Sequence, residues 1–166
     1  TLVNRGMSNV YEPGSVMKVF TMAAVADMGK IKADTKLKVP GSIRVDGFTI
    51  SDYWNHGTLN MTAGGVISLS SNLGTIVAAQ QMNDGEFHRY LTKFGFGQLT
   101  GIDLPEETRG LVTPAAQWTR SKHATTSFGQ GISVNAVQMV RGVGAIANGG
   151  VMCNPTIADS SIDAEG

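Results

Sequence analysis

Cysteine is nearly absent from this chain. Cys153 is the only one in 166 residues, so no intrachain disulfide forms and a thiolate-built metal site is short of ligands. The three histidines, His56, His88 and His123, have no metal-ligand spacing and read as surface or hydrogen-bonding residues. Charge of one sign is also missing: 13 basic residues balance 13 acidic ones, and both kinds are spread along the sequence. That excludes the basic stripe of a nucleic-acid binder and the polybasic cluster of a membrane-surface protein. No apolar run is long enough to cross a bilayer, and no charged-then-apolar segment opens the sequence. What is there is a 42% hydrophobic content, enough for one domain to bury a substantial core.

The sequence is organised around Tyr11-Glu12-Pro13-Gly14-Ser15-Val16-Met17-Lys18-Val19-Phe20. Pro13 and Gly14 break regular structure, Ser15 stands where a helix N-cap would stand, and Val16 to Met28 is a helix-forming run that Gly29 ends. On that helix Ser15 and Lys18 are three residues apart, so a hydroxyl and an amine share one face. The chemistry needs such a pair. A serine hydroxyl is a weak nucleophile until a base takes its proton, and a lysine serves as that base only when burial or nearby charge lowers its proton affinity. The tetrad alone is weak evidence, because about half such a match is expected by chance at this composition.

Along the rest of the chain, Thr1 to Asn9 reads as an extended lead-in and Lys30 to Gly57 as short strands and loops with an aromatic pair, Tyr53-Trp54. Helical patterns follow at Thr62 to Leu69, Leu73 to Met82 and Glu86 to Phe94, the last capped by Asn83 or Asp84. Ser70-Ser71-Asn72 breaks the first two apart, a junction expected to expose its polar side chains. Gly97 to Thr113 reads as loop, Phe128-Gly129-Gln130-Gly131 as a tight turn, Asn135 to Ala147 as a helix capped by Ser133, and Val151 to Ile157 as an extended connector. Thr1 opens without an initiator methionine and Ala158 to Gly166 trails into a polar stretch, so both ends are expected to be cut. The expectation is a mostly helical chain with a small β subregion.

Ser-x-x-Lys gains weight from its company, since Ser-x-x-Lys, Ser-Asp-Asn and Lys-Thr-Gly motifs recur together in penicillin-binding proteins and related β-lactamases. Glu12-Pro13-Gly14-Ser15-x-x-Lys18 is followed by Ser70-Ser71-Asn72, Phe94-Gly95-Phe96-Gly97, Gly101-Ile102-Asp103-Leu104-Pro105, Phe128-Gly129-Gln130-Gly131 and Ala147-Asn148-Gly149-Gly150. In order and spacing this series resembles the class B penicillin-binding protein transpeptidase domain, from about Asn9 to Pro155. The resemblance implies an α/β parent fold, of which this chain holds chiefly the helical part. It implies a D,D-transpeptidase that cross-links peptidoglycan stem peptides and is acylated by β-lactam antibiotics, with no metal or organic cofactor. Ser15 is then the nucleophile and Lys18 its proton acceptor. Ser70 shuttles a proton to the leaving group, Asn72 bonds the substrate amide and Lys18, and the Ser15 amide is one oxyanion donor. Trp54 and Gln130 are expected to line the acyl-donor groove. The implied partners are the cell-wall synthesis machinery, and the implied parent is anchored in the cytoplasmic membrane with this domain outside it.

One departure matters. None of Lys18, Lys30, Lys32, Lys36, Lys38, Lys93 and Lys122 begins a Lys-Thr-Gly or Lys-Ser-Gly triplet. In the family that triplet lies on a sheet-edge strand beyond the Asn-Gly-Gly region and supplies the second oxyanion donor. The chain is therefore expected to be a partial domain, residues 1–166, without the C-terminal sheet strands and weak in turnover by itself, with exposed apolar helix faces that favour self-association. Two other readings stay open: a β-lactam sensor or non-catalytic cell-wall scaffold, and, less well supported, a β-lactamase. The latter lacks a Glu-x-x-Leu-Asn segment to position deacylating water.

Overall fold

The computed structural model describes residues 4–157, and its first element is a helical turn, α1 (Arg5–Ser8), where an extended lead-in was expected. Asn4 accounts for the difference, because its side chain accepts from the Gly6 amide and caps the turn. The polar stretch from Ala158 to Gly166 lies outside the described residues, as do residues 1–3.

Ser15 does not cap the helix that follows it. Gly14–Val16 form a 3-10 turn and α2 runs over Met17–Asp27, so Ser15 sits inside the turn and its side chain makes no cap bond. The cause lies far away in sequence. Gly14 has φ +55°, and its amide donates to the Gly129 carbonyl at 3.0 Å. The approach is so close that a Cβ on Gly129 would stand 2.1 Å from the Gly14 oxygen. The Phe128–Gly131 turn, itself as expected, thus seats the residue before Ser15. Paired bonds between Tyr11 and Val134 flank it, at 3.0 Å in each direction.

After α2, β1 (Lys36–Val39) pairs antiparallel with β4 (Leu59–Thr62), and β2 (Ile43–Val45) forms a hairpin with β3 (Phe48–Ile50). The hairpin turns at Asp46-Gly47, both with positive φ, the pairing that matches strand twist across a two-residue loop. Among the described residues these two-stranded ribbons are the only sheets, and helices dominate. Thr62 caps α3 (Ala63–Ser68), Ser71 caps α4 (Asn72–Ala79), and Asn83 with Glu86 forms a capping box on α5 (Asp84–Lys93). A helix absent from the sequence reading, α6 (Arg120–Ser127), starts on Thr119. The last, α7 (Ala136–Ala147), is capped by Asn135 with Gln138; Ser133, expected in that role, pairs with Leu111 in a bridge. Residues 151–157 form no regular element.

The core is built around α2, which buries Met17, Lys18, Phe20, Thr21, Met22, Ala24 and Val25. Residues buried on nearly every side mark a helix enclosed by others. Phe20 is its hub. The ring meets Phe94 and Phe96 edge-on, at centroid distances of 5.1 and 4.9 Å, and α7 crosses it at Gly142, where a Cβ would lie 2.8 Å from the ring. One apolar face stays open: Tyr11, Val16, Val140 and Val143 are exposed around a cavity of about 470 Å³ between the Ser15 turn and α7. Truncating the hub, Phe20→Ala, is expected to cost about 3–5 kcal/mol, read as a lower urea midpoint; an unchanged midpoint would mean that α2 is held some other way.

Candidate active site

Lys18 is the second residue of α2 and is only 3% exposed. A buried amine needs acceptors, and Lys18 Nζ finds them in Ser70: it donates to the Ser70 carbonyl and, at 3.0 Å, to Ser70 Oγ. Ser70 presents both from an unusual backbone, φ +50°, in the turn between α3 and α4. Burial pushes the Lys18 amine below its ordinary value of 10.5, and the charge of Asp52 partly opposes the shift. Lys18 thus combines a lowered proton affinity with a direct bond to a second hydroxyl.

Ser15 is exposed on the turn immediately before, and its Oγ makes no hydrogen bond to another described residue. The expected proximity to Lys18 in sequence is kept, but the amine is bonded to Ser70 instead. The Ser15 amide belongs to the first turn of the helical segment, where N–H groups have no intrahelical acceptor.

Asn72 is half-buried, and its Nδ2 donates to the Ser51 carbonyl at 3.2 Å, with no bond to Lys18. It borders a cavity of about 590 Å³ that Gln130 also lines, between β3 (Phe48, Thr49, Ile50) and α6 (Lys122, Thr125). Gln130 is exposed there, on the turn that seats Gly14. Trp54 is elsewhere: its ring packs on Tyr53 at 4.6 Å and His56 at 5.3 Å, and it does not line that cavity. Four predicted residues, Ser15, Lys18, Ser70 and Asn72, therefore come from two segments that fold together, Gln130 stands at an adjoining cavity, and Trp54 does not line it.

The turn with Ser70 is not an exposed junction. Ser71 is fully buried; its Oγ donates to Asp52 Oδ2 at 2.6 Å and accepts from the Gly74 amide at 2.8 Å. Asp52 also accepts from the Leu73 amide at 3.1 Å, and His56 Nε2 lies 3.1 Å from its Oδ2. The sequence reading missed Asp52 and His56. The only local signal was an acid next to an aromatic pair, and its partners lie 19 and 21 residues on. Of the other histidines, His123 is buried between Asp84 and the Ala79 carbonyl. Among the described residues no cluster of potential metal ligands occurs, Cys153 is free and exposed, and no helix is long and apolar enough to cross a membrane.

The chain as a whole has counterparts among known proteins. The family model of the penicillin-binding protein transpeptidase domain matches residues 1–165. The chain is 42% identical to penicillin-binding protein PbpB of Mycolicibacterium smegmatis over 163 residues, 98% of this chain and 25% of that protein. PbpB of Mycobacterium tuberculosis is 41% identical over 165 residues, 99% of this chain and 24% of that protein. The chain thus spans about a quarter of the length of these curated relatives. The crystal structure of penicillin-binding protein 3 from Mycobacterium tuberculosis in apo form superposes with a TM-score of 0.89 at 42% identity, over 94% of this chain and 35% of that one. Its complex with ampicillin gives a TM-score of 0.93 at 41% identity, over 100% of this chain and 37% of that one. The α/β fold expected from the motifs is the fold of these neighbours, and the chain belongs to the penicillin-binding protein transpeptidase family, in its class B branch.

Proposed function

We propose that this chain carries the acylation half of a peptidoglycan D,D-transpeptidase. The observation that carries the reading is the bonding of a buried Lys18 amine to Ser70, on the helix that starts just after the exposed Ser15. Ser15 Oγ attacks the penultimate D-alanyl carbonyl of a stem peptide as its proton passes to neutral Lys18. The Ser15 amide donates to the developing oxyanion. Collapse breaks the peptide C–N bond, and the departing D-alanine amine takes a proton from Lys18 through Ser70. A second stem peptide's amine then attacks the acyl-serine, its proton passes through Ser70 to Lys18, and as the ester C–O bond breaks Lys18 returns that proton to Ser15 Oγ, leaving the cross-link made. A β-lactam follows the first step only: the ring C–N bond opens, the nitrogen stays tethered, and the acyl-serine persists. Asn72 and Gln130 contact the donor peptide from the adjoining cavity, which Trp54 does not line.

The second oxyanion donor belongs in this reading to a Lys-Thr-Gly strand, a triplet that the 166 residues do not contain. Loss of one such donor slows acylation by about 10²–10³-fold. The relatives' greater length supports a domain that continues to that strand, and membership of the family supports a protein held at the outer face of the cytoplasmic membrane among the cell-wall synthesis machinery. The open valine face of Val16, Val140 and Val143 supports self-association of this chain when it stands alone.

Three outcomes are expected. Incubation with a penicillin adds one drug mass to the chain continued through the triplet, slowly to the present one, and to neither after Ser15→Ala. An adduct retained after Ser15→Ala, or rapid turnover of the drug, sinks the reading, the latter in favour of a β-lactamase. The acylation rate rises with pH as Lys18 loses its proton, with a midpoint below 10.5 because burial lowers its affinity; a flat profile removes Lys18 as the base. Sedimentation finds concentration-dependent dimers that Val140→Asp weakens, whereas a monomer at every concentration rules out association.

A further inference from the structure

The acylation motifs leave one buried carboxylate without a role. Asp52 lies in the segment between β3 and β4, its side chain shielded from solvent. It is wired to the Ser70–Asn72 turn at more than one point. Oδ2 accepts from Ser71 Oγ at 2.6 Å and Oδ1 from the Leu73 amide at 3.1 Å, while the neighbouring Ser51 carbonyl accepts from Asn72 Nδ2 at 3.2 Å. An anion at the first amides of α4 is well placed for both its charge and its lone pairs.

Ser71 is the middle of the turn, so whatever fixes it fixes both neighbours. On one side is Ser70, whose φ of +50° is costly for a residue with a side chain and persists only where the surroundings impose it. On the other is Asn72. The same carboxylate acts through space on Lys18, where its charge favours the ammonium form. Asp52 is the ionisable group whose charge reaches Lys18, and His56 is the one bonded to Asp52.

We propose that Asp52 is a positioning residue of the acylation site, its carboxylate holding the Ser70–Asn72 turn in register through Ser71 and Leu73. The role rests on the acyl-serine reading above. A carboxylate that merely closed a helix end would alter stability and leave Lys18 untouched.

The test is an NMR titration of the Lys18 side chain in labelled protein, wild type beside Asp52→Asn, with penicillin acylation followed in parallel. Asparagine keeps an oxygen for Ser71 or Leu73 and removes the charge. The expected result is a Lys18 midpoint moved to lower pH in Asp52→Asn, with the rising limb of acylation moving the same way. An unmoved midpoint in the folded variant overturns the proposal. Should Asp52→Asn fail to fold, Ser71→Ala decides: acylation slower than wild type with the Lys18 midpoint kept supports the role, and a wild-type rate overturns it. Absence of any adduct from wild type counts against the acyl-serine reading, and the Lys18 titration, which needs no penicillin, still decides the influence of Asp52.

Discussion

An amine withdrawn from water must be given acceptors, and the bonds from Lys18 to Ser70 meet that need at the centre of this molecule. Much of the surrounding structure serves to make those bonds geometrically possible. Ser70 turns its carbonyl and hydroxyl to the same amine from a left-handed backbone. That backbone is held by Ser71, and Ser71 by a buried carboxylate on a separate segment. Remove the last of these links and the first loses its geometry.

The other half of the site depends on where α2 begins. Helical propensity alone would start it at Ser15; the close approach of Gly129 to Gly14 imposes a tighter turn and leaves Ser15 exposed on it. The helix then runs straight into the aromatic cluster of Phe20, Phe94 and Phe96, with α7 pressed against it at a glycine. Packing of this density resists small displacements, which suits a reaction in which a shift of about 1 Å costs orders of magnitude in rate. Core and chemistry share one helix: alternate sides of α2 carry Phe20 into the core and Lys18 toward Ser70.

Some of this was legible in the residues. The cap of α5 is written in Asn83 and the break before α4 in Ser70-Ser71-Asn72, because each is decided within a few residues. The motif series identified the family for the same reason. What was not legible came from long-range contacts. Ser15 looked like a cap until Gly129 reached Gly14 from the far end of the chain. Ser71 looked exposed until Asp52 arrived from 19 residues away. Helix α6 is rich in Ser, Thr and His, and its stability comes from packing beside α4 and from the Thr119 cap, not from an apolar stripe.

The most direct test of the central claim is to locate the acyl group after reaction with a penicillin, by digesting the protein and mapping the modified peptide. A single penicilloyl ester is expected on Ser15, in the peptide that also carries Lys18, with Ser70 unmodified. An adduct on Ser70, or an amide on Lys18, would contradict it, because either would mean that the buried pair is the nucleophile and not the relay that serves one.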